Sequence, residues 1–88
     1  MSKRGKNMFK NKSKNGKNNI CGENIYRLRK EINPKMSQNG FAQRCQMIGL
    51  DIDKNAVQRI ESGKRFVTDI ELVCFAKILE VDLQELIK

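Results

Sequence analysis

The chain has 88 residues, enough for one domain on a single modest core. It carries 18 Lys and Arg against 10 Asp and Glu, a net charge of +8, with no His and no Trp. Without His there is no Ser/His/Asp or Cys/His nucleophile system, no mixed-ligand zinc site and no usual general base near neutral pH, so the chain is read as a non-enzyme without a cofactor or metal. No stretch approaches the ~18 apolar residues of a spanning helix, and the basic N-terminal stretch is followed by no apolar block of the signal-peptide kind. A cytoplasmic protein is therefore expected. Cys21, Cys45 and Cys74 are odd in number and widely spaced, which fits neither a disulfide framework nor paired metal ligands. Cys45 and Cys74 are expected as small buried hydrophobes.

Residues 1–19 contain Lys3, Arg4, Lys6, Lys10, Lys12, Lys14 and Lys17 and no acid, whereas residues 20–88 hold 11 bases against 10 acids. The first segment is Lys, Asn, Ser and Gly with two isolated hydrophobes, too apolar-poor to offset the entropy of ordering. A disordered, flexible basic arm is expected over 1–19, ahead of a folded domain over 20–88. Such an arm either follows the backbone or minor groove of a duplex or serves as a solubilising tail, and its charge alone leaves both open. Were all seven bases to engage phosphates, the slope of log affinity against log salt would steepen by up to about six.

Apolar residues then recur at helical spacing. Ile25, Leu28 and Ile32 mark a first helix from about Glu23 to Ile32, which Pro34 stops. Ser37 is a good N-cap for a second, whose Phe41, Ala42, Cys45 and Ile48 share a face and which Gly49 ends. After Leu50-Asp51-Ile52, Asp53 caps a third helix through Ser62, with Val57 and Ile60 inward and Gly63 closing it. Thr68 and Glu71 have capping-box spacing ahead of a fourth helix carrying Leu72, Val73, Ala76 and Leu79. Asp82 and Glu85 repeat the device for a short fifth with Leu83, Leu86 and Ile87. The expected fold is all-α, a compact five-helix bundle with no heptad running across elements.

In the third helix, Lys54, Asn55, Gln58 and Arg59 fall on one arc opposite Val57 and Ile60. Arg and Lys suit the acceptors of guanine, and Asn and Gln pair bidentately with adenine, but an ordinary solvated face has the same composition. The surrounding order is more specific: Ser37-Gln38, Phe41-Ala42, Val57, then Ile60-Glu61-Ser62-Gly63-Lys64-Arg65. It resembles the Cro/C1-type helix-turn-helix family, in which "SQ…LA", an inward aliphatic and "IExGK" recur in that order. The resemblance covers about residues 22–88. The stretch between Ala42 and Val57 is about five residues longer than the commonest version, as in a long-turn variant. The link Asn33-Pro34-Lys35-Met36 is lengthened too, and Asp53 stands where the cap is often Ser or Thr.

The resemblance implies a lambda-repressor-like domain that binds double-stranded DNA as a homodimer, in transcriptional repression, on a roughly palindromic operator. Lys54, Asn55, Gln58 and Arg59 become base readers in the major groove; Ser37, Gln38, Lys64 and Arg65 become phosphate contacts; and Arg29 pairs with Glu61 structurally. Asp51-Ile52-Asp53-Lys54-Asn55 opens like a calcium loop, but Ala56 and Ser62 stand where its Gly and bidentate Glu belong. Gly63-Lys64-Arg65 lacks the rest of a phosphate loop. Two other readings are an RNA- or ribosome-associated protein bound through its arm, and an antitoxin-type module binding a partner protein and its own promoter.

Overall fold

A computed structural model describes residues 16–32 and 34–88. The disorder expected over 1–15, and Asn33 of the lengthened link, lie outside the described residues. Those residues form five helices and no strand: α1 (Gly22–Glu31), α2 (Gln38–Met47), α3 (Lys54–Glu61), α4 (Asp69–Leu79) and α5 (Leu83–Ile87).

The helix ends follow from local chemistry. The Ser37 hydroxyl accepts from the Gly40 amide at 2.9 Å, and the Asp53 carboxylate from the Ala56 amide at 2.8 Å, each satisfying an amide with no partner inside its helix. At α4 both halves of the capping box form, with Glu71 N–H donating to Thr68 Oγ1 and Thr68 N–H donating to Glu71 Oε1. Gly63, at φ +83°, turns the chain out of α3 in the left-handed conformation that costs glycine least. At α5 the expected cap is corrected: Asp82 makes no side-chain bond to the helix, and the Glu85 carboxylate is drawn 3.1 Å from the Lys88 ammonium instead.

Each helix contributes its inner stripe to one core: Ile25 from α1; Phe41, Ala42 and Cys45 from α2; Val57 and Ile60 from α3; Leu72, Phe75 and Leu79 from α4; and Leu86 from α5. Ile52 and Val67 from the connections complete it. The Phe41 and Phe75 rings meet across α2 and α4 with centroids 5.3 Å apart, a tilted pairing worth about 0.5–1.5 kcal/mol beyond its area.

Several core assignments change. Val73, expected inward, is exposed, because Leu72, Phe75, Ala76 and Leu79 define the inner stripe and Val73 sits beyond its edge. Ile48 is half-exposed because α2 ends at Met47 and helical projection no longer governs its direction; Ile52 fills the core there. In α5 only Leu86 is buried, since a helix of five residues shows the core little more than one position. Cys74 is half-buried, while Cys21, like Cys45, is fully buried in the core.

Burial pushes the Cys21 and Cys45 thiols up to about 12, with the Glu71 carboxylate adding to the effect at both and the Cys74 thiol at Cys45. The folded chain holds these protons where the unfolded chain, with a thiol pKa near the ordinary 9.0, has released them. Stability is therefore expected to be independent of these groups below pH 9 and to fall as pH rises from 9 toward 12, by up to about 1.4 kcal/mol per pH unit per thiol. Urea titrations of the native chain and a Cys21→Ala, Cys45→Ala variant across that window would test this: equal pH slopes would refute it.

The domain begins earlier than composition indicates. Asn19 is only 2% exposed, and its amide group donates to the Ile60 and Arg65 carbonyls at 3.0 and 2.8 Å while accepting from the Gly22 amide at 2.8 Å. Asn18 N–H donates to the Gly63 carbonyl and Asn18 Nδ2 to the Lys64 carbonyl. Lys17 pairs with Glu23 at 2.6 Å and, by that hydrogen bond, holds its carboxyl below the usual range. Lys17 to Asn19 thus form a strap that takes up carbonyls at the end of α3, rather than the last residues of an arm. The start of α1 lies so close to this end that a methyl group on Gly22 would overlap the Ile60 carbonyl.

Candidate nucleic-acid interface

The best-defined polar node joins the first three helices. Arg29, on α1, presents Nε and Nη2 to the two Glu61 oxygens at 2.7 and 2.9 Å, and its Nη1 donates to the Met36 carbonyl at 2.9 Å. Gln38, in the first turn of α2, donates to Glu61 Oε1 at 2.9 Å. Both charged side chains are more than nine-tenths buried, so every lone pair and N–H matters, and the fork-on-fork geometry supplies the match. The hydrogen bonds that Arg29 donates to the Glu61 carboxylate push its guanidinium still further up. This node fixes the start of α2 against the end of α3, and so the relation between the two helices of the expected reading unit.

On α3, Lys54, Asn55, Gln58 and Arg59 are all exposed on the face away from Ala56, Val57 and Ile60. None of the four side chains has a hydrogen bond or ion pair among the described residues. Asp53 and the Gln46 amide, which donates to the Ile52 carbonyl at 2.9 Å, hold the entry to this helix.

The expected phosphate contacts divide. Lys64 is exposed with no ion pair among the described residues, and Ser37 lies exposed at the start of α2 with its hydroxyl on Gly40. Gln38 is engaged by Glu61, and Arg65 is directed onto Glu71, with Nη1 and Nη2 each 3.1 Å from a carboxylate oxygen. These two side chains serve the domain's interior bonding.

Sequence reasoning missed Lys30 and Lys35. They line an open depression together with Lys54, Ser37, Gln38 and Asn39. Lys30 Nζ lies 5.2 Å from the centre of the Tyr26 ring, which also lines the depression. Three lysines from separate segments therefore surround the first turn of α2, where unpaired amides and the helix dipole favour an anion. No sequence pattern links them, because the fold alone brings α1, the link and α3 together.

The charge within the domain is also divided. Residues 20–66, through α1, α2 and α3, hold nine bases against five acids, and residues 67–88, with α4 and α5, hold two bases against five acids. The α3 face belongs to the positive part. No group of His, Cys, Asp and Glu among the described residues could hold a metal ion, and no helix of the described residues is long and apolar enough to cross a membrane. Comparison with family models, with curated proteins and with solved structures finds no match for this chain.

Proposed function

We propose that the chain is a sequence-specific binder of double-stranded DNA, a transcriptional regulator of repressor type, in which α3 enters the major groove with its N-terminal end leading. On this reading it belongs with the Cro/C1-type helix-turn-helix proteins in their long-turn form. The observation that carries the reading is the exposed, unpartnered set Lys54, Asn55, Gln58 and Arg59 on one face of a helix whose other face is fixed in the core. Their groups match base edges: Arg and Lys for guanine acceptors, Asn and Gln for adenine. The lysine-rimmed depression at the start of α2 suits a backbone phosphate on the same side.

A second copy completes a palindromic reader. The exposed Val73 of α4 and Leu83 of α5 border a depression that also contains Lys77, Glu80 and Asp82, and Ile70 is exposed on the same helix as Val73. An isologous contact requires a self-complementary patch, and this one holds both signs of charge. Selection of bound DNA from a random pool at physiological salt tests the whole reading. A motif with two inverted half-sites about one helical turn apart is the expected result. A single half-site would remove the dimer, and binding without sequence preference would overturn the function.

A further inference from the structure

α4 ends differently from the helices before it. The chain leaves α2 and α3 through Gly49 and Gly63, both at positive φ, a conformation glycine adopts without steric penalty. α4 is closed instead by Glu80 at φ 59° and ψ 44°, the one non-glycine residue at positive φ among the described residues. A side chain there opposes folding, because its Cβ crowds the following carbonyl oxygen. The Glu80 carboxylate returns nothing to the domain, being exposed and without a hydrogen bond or ion pair among the described residues. Backbone strain of this kind collects at binding sites.

Glu80 lines an open depression of about 470 Å³ together with Lys35 from the link and Arg44 from α2. Neither cation has an ion pair among the described residues. Ile32, Pro34 and Met36 give the depression an apolar wall. Its volume falls within the ~300–1,000 Å³ of small-molecule sites. The depression that holds Lys30, Lys35 and Lys54 contains no acid and suits a phosphate. Here two cations stand with one carboxylate, so Glu80 repels a phosphate and Lys35 and Arg44 repel a plain amine. The complement is two carboxylates and one ammonium on a short aliphatic chain.

We propose that this depression is an effector site for a small dicarboxylic amino acid, with its carboxylates on Lys35 and Arg44, its ammonium on Glu80 and its methylenes against the apolar wall. The site has a route to the DNA. Lys35, Met36 and Ser37 line both depressions, so a ligand that draws the Lys35 ammonium to itself withdraws it from a phosphate at the start of α2. Bound ligand and bound duplex then weaken each other reciprocally. This coupling rests on the DNA-binding reading given above; the ligand contacts do not.

The experiment titrates the full chain without DNA, following backbone amide shifts by NMR at constant ionic strength. The probes are L-glutamate, glutarate, which lacks the ammonium, 4-aminobutyrate, which lacks one carboxylate, and inorganic phosphate. L-Glutamate is expected to bind with a Kd on the order of 1 mM, as suits a small ligand in an open site, and the other three at least about tenfold more weakly. Shifts should centre on Lys35, Arg44 and Glu80. Glu80→Gln keeps the strain and removes the charge, and should weaken L-glutamate at least about tenfold. Glu80→Gly removes both, and should lose binding while raising Tm by up to about 8 °C, which separates lost binding from lost folding. On the selected duplex, about 10 mM L-glutamate should lower the affinity of the native chain roughly three- to fivefold relative to sodium chloride of equal ionic strength, and leave Glu80→Gln unchanged.

No saturable shift up to about 20 mM L-glutamate overturns the proposal, as does equal binding of glutarate or phosphate, or undiminished binding by Glu80→Gln. Saturable binding with unaltered DNA affinity supports the site and refutes its coupling to DNA. If no DNA motif is selected, the titration still decides the site, so failure of the DNA reading and failure of this proposal are distinguishable.

Discussion

Replacing Glu61 by Ala is expected to destabilise the domain by about 3–5 kcal/mol, because it strands the Arg29 charge in a site more than nine-tenths buried. The loss extends past one ion pair. Gln38 loses its acceptor, and the guanidinium keeps only the Met36 carbonyl. For a domain of this size each kcal/mol lowers Tm by about 4–8 °C, so thermal unfolding should move down by at least about 12 °C. Joint replacement, Arg29→Met with Glu61→Met, removes both charges and should recover much of the stability lost in Glu61→Ala. A Glu61→Ala cost below about 1 kcal/mol would put this pair with exposed ion pairs and refute its role as the tie among α1, α2 and α3.

Substitution on the outer face of α3 should separate stability from recognition. Lys54→Ala, Asn55→Ala and Arg59→Ala remove exposed side chains that make no hydrogen bond or ion pair among the described residues, so unfolding free energies should stay within about 0.5 kcal/mol of the native chain. Lys54→Ala should even be slightly stabilising, since a cation in the first turn opposes the helix dipole by about 0.3–1 kcal/mol. Against the selected DNA site each variant should lose about 1–3 kcal/mol of binding, or roughly 5- to 150-fold, and the triple variant should fall to the affinity for scrambled DNA. Competition between selected and scrambled duplexes checks this. If affinity for both falls equally, α3 contributes charge and not sequence reading.

Much of the fold was legible because it is encoded locally. Ser37, Asp53 and the Thr68–Glu71 pair announce helix starts through bonds that span three residues, and Gly63 announces a stop through a conformation few other residues tolerate. The Arg29–Glu61 pair was reached only through the family resemblance, since 32 residues separate its partners. Asn19 was illegible for the opposite reason: its neighbours are polar and basic, and its burial depends on carbonyls more than 40 residues away. Composition placed it in a tail, although its amide is the kind of group that can satisfy both donors and acceptors in a tight seam. Phe75 stands in the core where Val73 was expected, because Leu72, Phe75, Ala76 and Leu79 fall at i, i+3, i+4 and i+7, and its ring meets Phe41 across the core. The lysine rim was hidden similarly, because Lys30, Lys35 and Lys54 become neighbours only after three segments fold together.

The near-neutral total of the folded domain conceals a separation of sign between its α1–α3 and α4–α5 parts. Such a body experiences a torque in the field of a polyanion before any atom touches. On the proposed DNA-binding function it would turn its positive side toward the duplex during approach, so that a larger share of encounters would begin with α3 foremost. This bias acts on the association rate and fades as salt shortens the field to about 8–10 Å. Reversing charges on α4, outside the proposed reading helix, should therefore alter how fast DNA complexes form while leaving dissociation nearly unchanged.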